Sequence, residues 1–393
     1  MNILVVTSDF AKDYSSASNH VTGRIKDLIR YKNTEFFVVT ETISTSSAPC
    51  PYKTIDTKRI SLYSDKIIRK IYSKLGIHGL SDNFANWNFQ QMYEQAIEQE
   101  LKRHNYDLIY STGGPAVVHL AASKVLREHR LPWIAEIQDP LVFDGLKSVS
   151  YNASKRDMKA LHNAELAIAE ADAVICLTKA CCNMYKDRLH KKAVYCIYPG
   201  YARCITKKEH KLETIKEKRL ILFHAGTLYG DRNLDRLVCA IERAGLQDEI
   251  ILRVAGYIDN NVKKAIKRGS SFIDYLGVIP GAEVSKQIKS CHLCLVIQNT
   301  SNISKYTIPF KFYEYAAAGM PILFLGYRSN EAMENSIVYN YYYADMAEQG
   351  NIINLLQQLI KENKNGNLKI PIAIDIKDAS RSFLKVCNQV IEY

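Results

Sequence analysis

The 393-residue chain reads as two α/β domains in tandem, each a doubly wound parallel sheet. Three observations predict this. Short runs rich in Val, Ile and Leu alternate with longer segments of helical period, the rhythm of βαβ units. That rhythm breaks at Tyr198-Pro199-Gly200-Tyr201 and a polar, Lys-rich stretch from Thr206 to Arg219, then restarts. The length suits two domains better than one.

The elements follow in order. Asn2 to Thr7 is a first strand, with no basic segment or cleavage site before it. Residues 18–31 form a helix, Glu35 to Thr40 a strand, and residues 83–104 a long polar helix. Asp107 to Ser111 is a strand, 115–130 a helix, Pro132 to Ile137 a strand, 152–171 a helix and Ala173 to Leu177 a strand. This gives a first domain over 1–198. Leu220 to Gly226 opens the second, over 199–375, with strands near 250–255, 272–276, 293–297 and 322–325. Residues 376–393 are a closing helix, apolar at Phe383, Leu384, Val386 and Val390.

Lys and Arg number 52 against 41 Asp and Glu, a formal charge of +11. That excess suits an anionic partner. No nucleic-acid motif is present, which leaves a phosphorylated small molecule or an anionic membrane surface. No apolar run is long enough to span a bilayer. The ten cysteines are scattered through apolar segments and read as reduced thiols of a cytoplasmic protein. Cys291-His292-Leu293-Cys294 has metal-ligand spacing, but no second pair matches it, so it reads as a core strand.

The most informative stretch runs from Ile308 to Pro321. Pro309 suits a helix start, and Lys311 and Glu314 then share one face. Gly319 and Pro321 stop the helix before the apolar Ile322 to Leu325. A helix start suits a phosphate, and a carboxylate one turn in can accept from a ribose diol. An ordinary helix–strand unit has the same outline, so the other strand ends must decide. Ligands of open α/β sheets bind beyond the carboxyl ends of the strands. There the sequence places Gly226 and Thr227 with Arg232 just inside the next helix, Gly113 and Gly114 with His119 following, and Asp139 before Pro140.

Taken together these pieces resemble a retaining glycosyltransferase of the GT-B fold, closest to glycosyltransferase family 4. Pro309, Lys311, Glu314 and Tyr315, with Gly319 and Pro321, resemble the family's Pro-x-Lys-x-x-Glu-Tyr element. Ala225-Gly226-Thr227 with Arg232 and Asn233 resembles its phosphate-binding loop. Gln138-Asp139-Pro140 resembles its Arg-Asp-Pro, and His119 falls where many members turn a His to the donor sugar. Ile273 to Pro280 resembles the segment whose backbone, here Val278 and Ile279, reads the base edge.

The resemblance implies two Rossmann-like domains facing a central cleft, with the C-terminal helix crossing back to the first. It implies an acceptor-binding N-terminal domain, with Gly113, Gly114 and Asp139 on the acceptor side. The C-terminal domain would bind the nucleotide through Gly226, Thr227, Arg232, Val278, Ile279, Tyr306, Thr307, Lys311 and Glu314. His119, Arg232, Lys311 and Asp139 would carry catalysis. The implied activity is metal-independent, retaining hexosyl transfer from a nucleotide sugar, the co-substrate, to a glycan or lipid-linked acceptor in cell-surface polysaccharide synthesis. No cofactor is implied.

Two positions depart from the pattern. Tyr306 stands where the family has the first Glu of Glu-x7-Glu, which contacts the sugar. The loop after the first strand lacks the usual glycines. A nucleotide-sugar epimerase or hydrolase on the same fold, or a non-catalytic nucleotide-sugar-binding subunit, are the alternative readings. Within 58–75, Ile67, Ile68, Ile71 and Leu75 recur at helical spacing among Lys66, Arg69, Lys70 and Lys74. This basic amphipathic pattern suits an anionic membrane surface and a peripheral position at its inner face. A helix whose Ile face packs on the first domain would have the same pattern.

Overall fold

The computed structural model describes residues 1–12, 16–31, 33–41, 43, 48–55, 80–113, 116–141, 155–201, 217–230, 232–298, 302–327, 338–372 and 375–392. Gly114 and the segment 58–75 lie outside them. The chain divides into two compact units, Met1–Gly200 with Ile376–Tyr393, and Tyr201–Asp375.

The first unit holds β1 (Asn2–Thr7), α1 (Ser16–Leu28), β2 (Glu35–Thr40), β3 (Tyr52–Thr54), α2 (Leu80–Leu101), β4 (Leu108–Thr112) and α3 (Val117–Leu126). It continues through β5 (Trp133–Ile137), α4 (Lys155–Ala169), β6 (Ala173–Cys176), α5 (Lys179–Leu189) and β7 (Val194–Cys196). The strands form one sheet in the order β3-β2-β1-β4-β5-β6-β7, every pairing parallel. Strands β4, β5 and β6 are buried along their whole length. That is why they read as continuous apolar runs and not as alternating ones. The order reverses direction between β1 and β4, where Thr7 pairs with Thr112. This reversal opens a ligand-sized crevice at the carboxyl ends of such sheets.

The second unit holds β8 (Leu220–Ala225), α6 (Asp235–Arg243), β9 (Ile250–Ala255), α7 (Asn260–Arg268), β10 (Ile273–Tyr275) and α8 (Gly281–Lys289). Then come β11 (Leu293–Ile297), a single 3₁₀ turn (Asn302–Lys305), α9 (Phe310–Ala317), β12 (Ile322–Gly326), β13 (Tyr342–Asp345) and α10 (Gln349–Lys364). Its parallel sheet runs β10-β9-β8-β11-β12-β13 and reverses between β8 and β11. The last helix, α11 (Ile376–Ile391), returns to the first unit. Its Ala379, Phe383, Val386 and Cys387 join a core with Val21 and Ile25 of α1. Apolar residues four and three apart put that stripe on one side of the helix.

The short strands β3, β7 and β13 escape the sequence pattern. β3 is three residues, two of them exposed, and too little is buried there to leave an apolar run. The Cys-His-Leu-Cys segment leads into β11. Its Cys291 and Cys294 are buried with sulfurs 3.8 Å apart, and His292 Nδ1 accepts from the Ile221 amide at 2.9 Å.

Candidate functional site

In the second unit the reversal of strand order is flanked by the end of β8 and the end of β11. Ala225-Gly226-Thr227 follows β8, and Gln298 follows β11. Gly226 has φ of 133°, a conformation that side-chain-bearing residues rarely adopt. A Cβ at Gly256, after β9, would lie 2.3 Å from the Gly226 carbonyl oxygen, so the two backbones meet where only glycines fit. The Gly256 amide donates to Gly277 at 2.7 Å and the Gly226 amide to Ala255 at 2.8 Å, which ties three strand ends into one floor.

α9 stands over this floor. Pro309 is its N-cap, with no side-chain cap bond, one position earlier than a first-turn proline. Gly319, with φ of 69°, follows its C-terminus. Lys311 lies in the first turn and extends onto the Gly226 loop, where a Cβ on Gly226 would be 2.4 Å from Nζ. Burial, reinforced by the Arg232 charge and only partly offset by Glu314, pushes the Lys311 ammonium down to about 7. Tyr315 accepts from the Ala225 amide through its hydroxyl at 3.1 Å and so fixes the helix to the end of β8. Gln298 Nε2 donates to the carbonyls of Ser304 and Thr307, both at 3.1 Å, and holds the half-buried Tyr306-Thr307 segment in place.

Arg232 is not inside a helix, as the sequence suggested. Tyr229 and Arg232 exchange backbone hydrogen bonds of 2.9 and 3.0 Å in a tight hairpin, and α6 begins only at Asp235. The Asn233 side chain accepts from the Asp235 amide and donates to the Gly230 carbonyl, so the chain turns before it coils. The Arg232 guanidinium lies 5.7 Å from the Tyr229 ring centroid, and its buried Nε has no partner among the described residues. Asp259 accepts from the Gly230 amide at 2.8 Å while capping α7. Thr227 is exposed, and Val278 and Ile279 follow β10, with Val278 exposed. The second unit thus gathers Gly226, Arg232 and Lys311 around one loop. Glu314 stands one turn further along α9.

In the first unit the corresponding strand ends carry Gly113, His119 and Asp139. Gly113, with φ of 132°, abuts Asp9, whose Oδ2 would lie 3.2 Å from a Cβ there. Asp139 is exposed. His119 is fully buried on α3. Its Nδ1 is 2.9 Å from Ser111 Oγ, which also accepts from Trp133 Nε1 at 2.8 Å. Ser111 Oγ has one proton and two lone pairs, so its contact with Nδ1 fits either tautomer of His119. The ring also makes a hydrogen bond to the Gly113 backbone. Burial, only partly offset by Glu136 and by that hydrogen bond, keeps the ring neutral down to about 4.

Sequence reasoning missed the centre of this unit. Glu136 is fully buried and meets Arg24, His20 at 3.0 Å and the Thr112 hydroxyl at 2.8 Å. Arg24 also donates to the Tyr110 hydroxyl at 3.0 Å. It lies over the Phe383 ring of α11 at 5.5 Å. Burial alone would raise the carboxyl, but Arg24, then His20 and the hydrogen bonds, hold it well below the usual carboxylate range. Among the described residues no group of three or more His, Cys, Asp or Glu gathers as a metal site would.

No protein-family model and no curated protein matches the sequence. Solved structures match in fold along the whole chain. HepE from Anabaena, in complex with UDP and glucose, aligns with a TM-score of 0.63 and 13% identity over 100% of this chain and 98% of its own. The trehalose 6-phosphate synthase of Burkholderia multivorans gives 0.64 and 12% over 99% and 98%. A TarM variant of S. aureus, in complex with UDP, fondaparinux and α-GlcNAc-glycerol, gives 0.67 and 8% over 100% of both chains. The chain has the two-domain GT-B fold of these structures.

Proposed function

We propose that this chain is a glycosyltransferase that moves a sugar from a nucleotide sugar to a glycan or lipid-linked acceptor, with retention and without a metal ion. One observation carries the reading: the half-buried Lys311 sets its ammonium against the Gly226 loop, close enough to Arg232 for that second charge to disfavour it. Two cations at the reversal point of a parallel sheet, beside a helix N-terminus, suit a diphosphate. The UDP held by proteins of this fold, HepE and TarM among them, supports the same assignment.

On this reading Glu314 accepts from the ribose diol, and Val278 and Ile279 meet the base. The Gly226 and Thr227 backbone, with Tyr306 and Thr307, encloses the phosphates. The difficult event is cleavage of the bond between the anomeric carbon and the diphosphate oxygen. Negative charge grows on that oxygen as the bond lengthens, and the N–H groups of Arg232 and Lys311 meet it. Fixed cations supply what a bound metal supplies elsewhere. The first unit takes the acceptor, with Asp139 and Gly113 at its strand ends. The neutral His119, in the tautomer with its proton on Nε2, offers that N–H to a sugar hydroxyl.

The test is product analysis with a panel of nucleotide sugars, with and without acceptor glycans, in the presence of EDTA. Acceptor-dependent transfer that survives chelation is expected. Acceptor-independent release of free sugar or of an epimerised nucleotide sugar would refute transfer, and complete loss with EDTA would refute metal independence.

A further inference from the structure

His224 lies within this site and has no part in the reading above. It is on β8, two residues before Gly226, and its side chain is fully buried. Its Nδ1 is 2.9 Å from the Leu295 carbonyl oxygen of β11. An oxygen there can only accept, so Nδ1 carries the proton and Nε2 is a bare lone pair. That lone pair faces Lys311 Nζ, a pure donor, at 3.4 Å. One tautomer satisfies both contacts, and protonation of Nε2 would set an N–H against the ammonium. Burial, then the Lys311 and Arg232 charges, hold the imidazole well below the usual histidine range.

The groups facing Lys311 are thus His224 from β8, Arg232 from the hairpin after it, and Glu314 from its own helix. A carboxylate in the place of His224 would orient the ammonium but cancel the charge a phosphate requires. A neutral acceptor orients it and leaves the charge intact. We infer that His224 is a positioning residue: it accepts a hydrogen bond from Lys311 and fixes the ammonium over Gly226, where leaving-group charge grows. The inference rests on the diphosphate reading of the site.

The experiment begins with the wild-type chain and a thermal-shift panel of ADP, CDP, GDP, UDP and dTDP. If none binds, the diphosphate reading fails and the inference with it, before any variant is made. With the nucleotide that binds, His224→Asn keeps an N–H for Leu295 and removes the acceptor facing Lys311. It should weaken diphosphate binding about tenfold, the weight of one hydrogen bond to a charged group at its lower end. Affinity for the matching nucleoside, which has no phosphates, should not change. His224→Gln, which returns an amide oxygen within reach of Lys311, should recover most of the loss. In a Lys311→Met background His224→Asn should cost nothing further, because its effect runs through Lys311. His224→Leu runs the same cycle if the Asn variant does not fold. Equal loss in both backgrounds, or equal loss for nucleoside and diphosphate, would make His224 a packing residue and overturn the inference.

Discussion

Lys311 gives the site a proton-linked signature. Burial and Arg232 place its ammonium at about 7 in the free protein, and a bound diphosphate stabilises the charged form and raises that value. The sign follows. Below about 7 the lysine is already charged and affinity is flat. Above it, binding must take up a proton, so affinity falls with rising pH by up to about tenfold per unit until the bound-state value is reached. Calorimetry across neutral and alkaline pH checks this, and Lys311→Arg, permanently charged, should flatten the profile. A flat wild-type profile would contradict it. Glu314→Ala should weaken nucleotide binding roughly tenfold or more, the weight of a charged hydrogen bond. Unchanged affinity would remove Glu314 from the site. Lys311 and Glu314 could be read from the sequence because three residues of helix put them on one face. His224 could not: it sits in an apolar strand run, and only the contacts with Leu295 and Lys311 give it a role. Arg232 was legible as a residue type but not in its setting, because the Tyr229–Arg232 hairpin delays the helix.

The elements make their own predictions. Gly256→Ala would set a Cβ 2.3 Å from the Gly226 carbonyl oxygen at a φ of 127°. The obstacle is backbone and cannot rotate away. The variant should lose about 1–3 kcal/mol of stability in chemical denaturation and bind nucleotide more weakly, since the Gly226 loop must shift. Gly277, at φ of 69° with nothing within 4 Å of its Cβ position, should cost only about 1–2 kcal/mol as Ala. In the first unit Glu136→Ala strands the buried Arg24 and should cost about 3–5 kcal/mol. A loss under about 1 kcal/mol would show the pair to be worth no more than a surface bridge. The strands that flank both sites were legible as apolar runs, because parallel strands are buried on both faces. The Glu136 network was not. Its members, at 20, 24, 110, 112, 136 and 383, come together only when α1, β4, β5 and α11 assemble.

At the scale of the whole molecule, the break in the sequence at Tyr198-Pro199-Gly200 stands beside the division of the structure between Gly200 and Tyr201. The α11 stripe is what a periodic tail can announce without naming its partner. No helix among the described residues is long and apolar enough to cross a membrane. The basic amphipathic pattern of 58–75 predicts sedimentation with anionic vesicles that weakens with salt. Replacing Lys66, Arg69, Lys70 and Lys74 by Gln should reduce that binding. Wild-type protein left in the supernatant at low salt would rule it out. A diphosphate site built on Gly226, Arg232 and Lys311 should show in the stability of the wild-type chain and of the Arg232→Ala, Lys311→Ala double variant, each measured with every nucleoside diphosphate. One of these, at about 100 times its Kd, should stabilise the wild-type protein by about 2.7 kcal/mol and leave the double variant unmoved at the same concentration. Stabilisation of both proteins alike, or of neither by any nucleoside diphosphate, would contradict it.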